Sequence, residues 1–540
     1  MGPYIDGHLL SWLIFMPGLT VLSLLIFNGA IRTFFGSGGI PGEVWRALAL
    51  SSTSLTSALA WAGAWSDFDP EHIGLQFIEH RQWMPEVGLH YFVALDGIAL
   101  PLVLGVTTIV PLVLLACWNQ VQHSLRSFVF YVLLLETAVL GVLMAWNVLL
   151  FHIFWQLALV LVFFLIGSWG GGRGVRAATR FLLMTGFGSF CMGLAILVVA
   201  QLNLNAAGFP NLDLIATSGG LGPGLLDHPV VTMKAGFSSA QVEMGLFVGF
   251  GLAFASVLPM VPLHLWLPGA EQHTTGGGRA LITALLLPLG PYGLIRLCLP
   301  LFPSAAAAAA PYVMGLALVG LLYAILLAAL QSDLVRRFAF ISIAQLSLVV
   351  IGVFSLTGQG FVGAVVAILN HCLTATALFL VLSFLYDRRE VLSIQAFSGL
   401  ARPMPVLATL FSIIVGASLG LPLLSGFVGE ILLLAGISQG SPVVLMGSVV
   451  GVVGVAILLY VTCQRMIFGP LRVPENRGLI DLDLRERCVL IALIIPMLWI
   501  GIHPNPVLRR VEPSVLELMR FVDVRQVEAQ SANRSVGDLP

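Results

Sequence analysis

The sequence predicts an all-α polytopic membrane protein of about fourteen transmembrane helices. Composition is the first reason: 58% of the 540 residues are hydrophobic and 9% are charged, against about 25% charged in a soluble domain. Mean hydropathy is +0.99. The second reason is a recurring apolar run of about 20 residues, the length that spans a bilayer as a helix. The third is charge alternation. Arginines fill the connections after odd-numbered runs, and those after even-numbered runs are acidic or nearly uncharged.

The runs lie near 9–28, 45–65, 98–118, 126–146, 148–169, 177–201, 244–267, 279–301, 311–330, 338–356, 362–385, 405–433, 441–462 and 487–503. The first is too long for the apolar part of a signal peptide and lacks a small-residue cleavage site, so it reads as a membrane helix. One transmembrane domain, 1–503, fills the chain, and 504–540 forms a C-terminal tail. Longer polar inserts are expected at about 66–97, 202–243 and 463–486. PVLRRVEPSVLELMRFV in the tail has the pattern of an amphipathic surface helix. SAAAAAAP at 304–311 reads as a spacer.

Arg32, Arg173, Arg176, Arg180, Arg336, Arg337, Arg388, Arg389, Arg402, Arg465, Arg472, Arg477 and Arg485 follow odd-numbered helices. The excess of basic residues on cytoplasmic loops therefore puts these connections in the cytoplasm. Both termini fall on the opposite side, the periplasm if the membrane is a bacterial inner membrane. The net charge of −1 carries no nucleic-acid footprint. Lys234 is the one lysine in the chain. Six cysteines lie in apolar segments without a CxxC pair, which indicates neither a metal site nor a disulfide framework.

Three runs are interrupted. GLAFASVLPMVPLHLWLPG (251–269) carries Pro259 and Pro262, the eighth run carries Pro288 and Pro291, and the twelfth carries Gly420-Leu421-Pro422. Proline removes an N–H donor and clashes with the preceding turn, and in hydrocarbon each freed backbone group is costly. Broken helices five apart in two halves are a pointer to transporters with inverted repeats, where broken backbone lines a wet path. The other reading is a kink packed against its neighbours.

Ionisable groups at membrane depth cost about 2.5–3.5 kcal/mol on insertion scales and so tend to have a role. Glu136, His264, His371 and Glu430 are the candidates for a proton path, each weighed against a hydrogen-bonded packing role. Gln156 and Gln345 cannot titrate but can hydrogen-bond water in a wire. Asp333 and Arg336, three apart at a helix end, read as a local ion pair.

Several segments together carry a resemblance: FVALDGIALPL (92–102), LLFHIFWQLALVLVFFLIGSWGG (149–171), ASVLPMVPLHLWLPGAEQ (255–272), LLLPLGPYGLIRL (285–297), LNHCLTATALFL (369–380) and LPLLSGFVGEILLLAG (421–436). The chain resembles the antiporter-like subunit M of proton-pumping NADH–quinone oxidoreductase, respiratory complex I. It is also related to the matching membrane component of Mrp-type Na⁺/H⁺ antiporters. The resemblance runs over about residues 5–520. It implies two inverted five-helix repeats, about 126–301 and 311–462, with broken helices 7, 8 and 12. It also implies a hydrated axis of charged residues that moves protons when quinone is reduced elsewhere in the complex. It implies other membrane subunits as partners and no cofactor bound by this chain.

The chain departs from that pattern in one direction. Gln156 stands where the family has a glutamate, Val257 and Pro288 where it has lysines, Gln345 where it often has a histidine, and Gly269 where it has an aspartate. Each change removes a titrating group, while scaffold glycines, prolines and tryptophans remain. The reading is thus a divergent membrane-arm subunit with a depleted proton path. Two alternatives stay open: a non-pumping anchor of another respiratory or ion-uptake complex, and a cation/proton antiporter subunit.

Overall fold

Apolar runs of 18 to 34 residues fold as helices because in hydrocarbon a helix satisfies its own backbone groups. The structure is a computed structural model that describes residues 7–35, 39–120, 124–207, 210–216, 223–227 and 239–537. Lys234 and part of the 202–243 insert lie outside the described residues.

In chain order the elements are α1 (Leu9–Phe35), α2 (Gly42–Leu59), β1 (Gln76–Met84), β2 (Leu89–Leu95), α3 (Ala99–Ala116), α4 (Leu125–Met144), α5 (Val148–Gly167) and α6 (Gly171–Ala207). Then come α7 (Ser239–Val257), α8 (Leu267–His273) and α9, one span over Gly276–Leu301. They are followed by α10 (Pro303–Leu330), α11 (Leu334–Phe354), α12 (Gly358–Arg389), α13 (Pro405–Ser418), α14 (Ser425–Ile437), α15 (Pro442–Cys463), α16 (Leu484–Ile502) and α17 (Asn505–Gly537). Several starts are capped as their sequences dictate. Asn147, Asp333, Thr357 and Asp483 each accept a backbone N–H of the first turn, satisfying donors a helix leaves open.

Eleven helices among the described residues are long and apolar enough to cross a membrane, or twelve if α16 and α17, bent by 71°, count as one span. The expected count of fourteen is not reached on length and composition. The remaining two expected positions are α2, rich in Ser and Thr, and the α13/α14 pair, each half of which is short. α9, α11 and α12 form the buried centre, while α1, α6, α7, α10 and α15 lie outermost. The 304–311 segment is no separate spacer but the first turns of α10.

All-helical expectation fails at one place. The 66–97 insert holds an antiparallel hairpin, β1–β2, closed by Gly88 at φ +72°. Its second strand, LHYFVAL, is rich in the aromatic and β-branched residues that suit a pleated surface. The hairpin fixes one face of the molecule. Glu79 Oε1 accepts the Leu10 and Ser11 N–H groups at 2.8 and 3.1 Å, capping α1. Trp146 N–H donates to Phe92 O, and Leu214 N–H to Trp146 O. Gly97 N–H donates to Ser514 Oγ of α17 at 2.9 Å. On the opposite connections, Leu334 N–H donates to Leu392 O and Leu400 N–H to Met466 O. The α1 start, the hairpin and α17 thus share one face, and the arginine-bearing connections after α10, α12 and α15 are joined to one another.

The tail is the amphipathic helix its pattern suggests, with its apolar face packed on the protein itself. Val507, Val511, Val515, Leu518 and Val522 are buried along one face of α17, at the three- and four-residue spacing of a helical stripe.

Candidate functional site: two broken spans and their polar neighbours

The seventh span stops at Val257 and resumes with a short 3₁₀ turn, Leu263–Trp266, before α8. The break is packed. A side chain at Gly290 would meet Leu258 and Phe254 O, and one at Gly293 would meet the Phe254 ring. The Trp266 indole donates to Ser256 O at 2.8 Å, tying the resumed chain to the end of α7. Val257 and Pro288 are buried in this apolar contact. In the eighth span Pro288 and Pro291 disturb the helix without parting it. π-turns at Ile282–Leu286 and Leu294–Cys298 flank the stretch, and the span continues to Leu301. Such π-turns are a usual way to absorb a local misfit.

The polar residues of this half are apart. Gln156 on α5 accepts from Ser189 Oγ of α6 at 2.9 Å and has its amide nitrogen 3.3 Å from His152 Nε2. Its amide is therefore engaged at both ends. Glu136 on α4 is fully buried, and neither carboxylate oxygen has a hydrogen-bond partner among the described residues. His264 stands edge-on to Tyr323, with ring centroids 5.5 Å apart, and near Phe340. Neither of its nitrogens has a partner among the described residues.

The twelfth span breaks between Ser418 and Ser425, with Gly420 at φ +70° and Pro422 in the gap. Here polar side chains hold both edges. Gln345 Nε2 donates to Ser418 O and Oγ at 3.1 and 3.0 Å. Gln345 Oε1 lies 3.3 Å from His371 Nδ1. An amide oxygen only accepts, so Nδ1 carries the proton and Nε2 is left without a partner among the described residues. Ser425 Oγ donates to Asn370 Oδ1 at 2.7 Å. Glu430 on α14 is half-buried and lies against Gly420, where any Cβ would collide with its carboxylate.

The Asp333–Arg336 ion pair is not formed. Asp333 caps α11 by accepting the Arg336 backbone N–H at 2.9 Å. The free carbonyls nearby are taken by Arg337, which donates to Ala328, Ala329 and Gln331 oxygens and to Thr462 Oγ1. An N-cap competes directly for the carboxylate that an ion pair would need.

Other buried charged groups lie within the quoted segments, at Asp96, Glu271 and Arg296, but were not among the candidates. Glu271 Oε1 accepts from Thr283 Oγ1 at 2.8 Å, and the Arg279 Nε donates to the Glu271 backbone carbonyl at 2.7 Å. Asp96 and Arg296 form a bidentate pair at 2.6 and 2.8 Å, with the guanidinium 4.3 Å from the Trp146 ring centroid. His152 was within reach of sequence reasoning: it is four residues before Gln156, on the same helix face.

Comparison with known proteins agrees with this architecture. The family model described as NADH:quinone oxidoreductase/Mrp antiporter, transmembrane, matches residues 145–457. NADH-quinone oxidoreductase subunit M of Rhodobacter capsulatus is 32% identical over 523 residues, covering 95% of this chain and 96% of that protein. A chain of respiratory complex I from Thermus thermophilus with bound NADH superposes with TM-score 0.79 at 26% identity, over 94% of this chain and 99% of that one. A chain of the Mrp complex from Dietzia sp. DQ12-45-1b superposes with TM-score 0.74 at 16% identity, over 95% and 99%, a likeness of fold. Match to the family model over more than half the chain, together with the end-to-end relative, makes this protein a member of the NADH:quinone oxidoreductase/Mrp antiporter transmembrane family.

Proposed function

We propose that the chain is a membrane-arm subunit of a complex I-type NADH/quinone oxidoreductase and takes part in proton translocation coupled to quinone reduction. The observation that carries the reading is the Gln345–His371–Ser418 cluster at the break of the twelfth span, with Glu430 against Gly420 in the same break. A histidine with one nitrogen unpartnered among the described residues and an amide that bridges to a helix end form a polar step at membrane depth. Glu430 adds a titrating group beyond it. Such groups line ion and proton pathways. Electron carriers belong to partner subunits in this reading, and the chain itself catalyses no redox step. The inverted repeats, 126–301 and 311–462, are the frame in which the two breaks correspond.

The first half does not conduct in this account. Val257 and Pro288 replace the titrating groups, the break packs on Gly290, and Glu136 is without a hydrogen-bonded neighbour among the described residues. The same observations favour a second reading, a non-pumping anchor in another respiratory or ion-uptake assembly. We place the arginine-bearing connections in the cytoplasm of a bacterium and the two termini at the periplasmic side of its inner membrane.

The experiment is co-purification. The tagged chain, extracted from native membranes in mild detergent, is expected to bring with it an NADH- or quinone-reducing arm, identified by mass spectrometry. An unrelated oxidase or uptake protein in its place would overturn the reading and favour the anchor.

A further inference from the structure

The hairpin sets two histidines side by side. His80 pairs with Phe92 and His90 with Gln82, which makes the histidines diagonal neighbours on one face, where cross-strand side chains meet. Their rings lie edge to face with centroids 5.2 Å apart. A third group comes from the α6–α7 connection. Asp213 Oδ2 is 2.7 Å from His90 Nδ1 and 3.1 Å from His80 Nε2. Asp213 and His90 are closed to solvent, and the His80 side chain is 10% exposed.

The carboxylate is held from behind. Asn147 Nδ2 donates to Asp213 Oδ1 at 2.8 Å and also to Gly88 O at 2.9 Å, while Asn147 Oδ1 caps α5. Asp213 N–H donates to Asn211 Oδ1 at 3.0 Å. One oxygen is thus fixed by an amide, and the other is presented to both imidazoles. An outer group that orients a ligating carboxylate is what metal sites require.

We propose that His80, His90 and Asp213 bind a divalent transition-metal ion, zinc by donor set. One donor atom from each lies within 4.8 Å of the other two. Two imidazole nitrogens and a carboxylate oxygen suit zinc and its neighbours rather than calcium or magnesium, which take oxygen ligands. Ligands at about 2.0–2.2 Å from a tetrahedral zinc ion stand roughly 3.3–3.5 Å apart. The two observed separations open by less than about 1 Å to reach that range. Three protein ligands leave the fourth position to water, and the edge of His80 gives the ion a way in from solvent. The bound ion acts as a clasp. It joins the hairpin to the α6–α7 connection and, through Asn147, to the start of α5, on the face shared by the start of α1 and by Ser514 of α17.

The test uses the full-length chain in the assembly with which it is extracted. After chelation and removal of the chelator, radiolabelled zinc binding is measured by equilibrium dialysis for the natural protein, Asp213→Asn and His80→Gln. His80→Gln changes a partly exposed strand residue, so it keeps the comparison valid if Asp213→Asn fails to assemble. The expected result is one zinc equivalent per chain more in the natural protein than in either variant that assembles. A cobalt-loaded natural protein should also show ligand-field absorption that His80→Gln lacks. Equal zinc uptake in natural protein and His80→Gln, with no cobalt difference, would overturn the proposal and leave the three side chains as a hydrogen-bonded clamp only.

Discussion

Gln345 reaches from α11 to two oxygens of Ser418, 3.1 Å to the carbonyl and 3.0 Å to the hydroxyl, and so holds the residue at which the twelfth span stops being helical. A helix end at membrane depth leaves carbonyls that no water in hydrocarbon can satisfy. The same amide meets His371 through its oxygen. One side chain therefore stabilises the break and connects it to the imidazole.

Gln345→Leu removes both contacts. It leaves the Ser418 carbonyl and the His371 Nδ1 proton unpaired, at a cost of about 1–3 kcal/mol for each buried group. We expect a lower melting temperature in detergent and reduced coupled proton transfer. Gln345→His keeps a hydrogen-bonding side chain at the site and is expected to retain more of both. Thermal melts and proton uptake per electron, measured on the two variants in parallel, check this.

Gly420→Ala tests the contact between the break and Glu430. The backbone is at φ +70°, which costs a residue with a Cβ about 1–2 kcal/mol, and the added methyl displaces the carboxylate. Proton transfer should fall in assembled protein. Gly315→Ala, where a Cβ meets nothing within 4 Å, should leave activity unchanged and is the control for glycine replacement as such.

Arg296→Met leaves Asp96 buried without its cation. Breaking a buried pair costs about 3–5 kcal/mol, so the variant should assemble poorly and melt early. The double variant Arg296→Met/Asp96→Leu should recover a large part of that loss, because two apolar residues leave no uncompensated charge. Yield of assembled complex and melting temperature separate the outcomes.

The spans were legible because hydrocarbon enforces a single rule, about 20 apolar residues with internal backbone hydrogen bonds. Pro259, Pro262 and Pro422 marked real breaks for the same reason. Pro288 and Pro291 did not part their helix, since π-turns on either side took up the misfit, and no residue pattern announces such turns. The hairpin was not legible: 66–97 reads as a polar insert, and Glu79-His80-Arg81-Gln82 lacks the period-2 alternation that announces a strand, although Gly88 offered a turn. The site was half legible. Gln345, His371 and Glu430 cluster about one break, but their serine and asparagine partners, Ser418, Ser425 and Asn370, are too common in helices to stand out. Asp333 and Arg336 carried an ion-pair spacing, and the helix start took the carboxylate.

The central claim is that protons pass through the second half of this chain and not the first. The most direct measurement is protons translocated per electron by the assembled complex in sealed vesicles, for Glu430→Gln and Glu136→Gln against the natural protein. The account predicts a several-fold loss for Glu430→Gln and an unchanged ratio for Glu136→Gln. An unchanged ratio for Glu430→Gln, or a loss confined to Glu136→Gln, would contradict it.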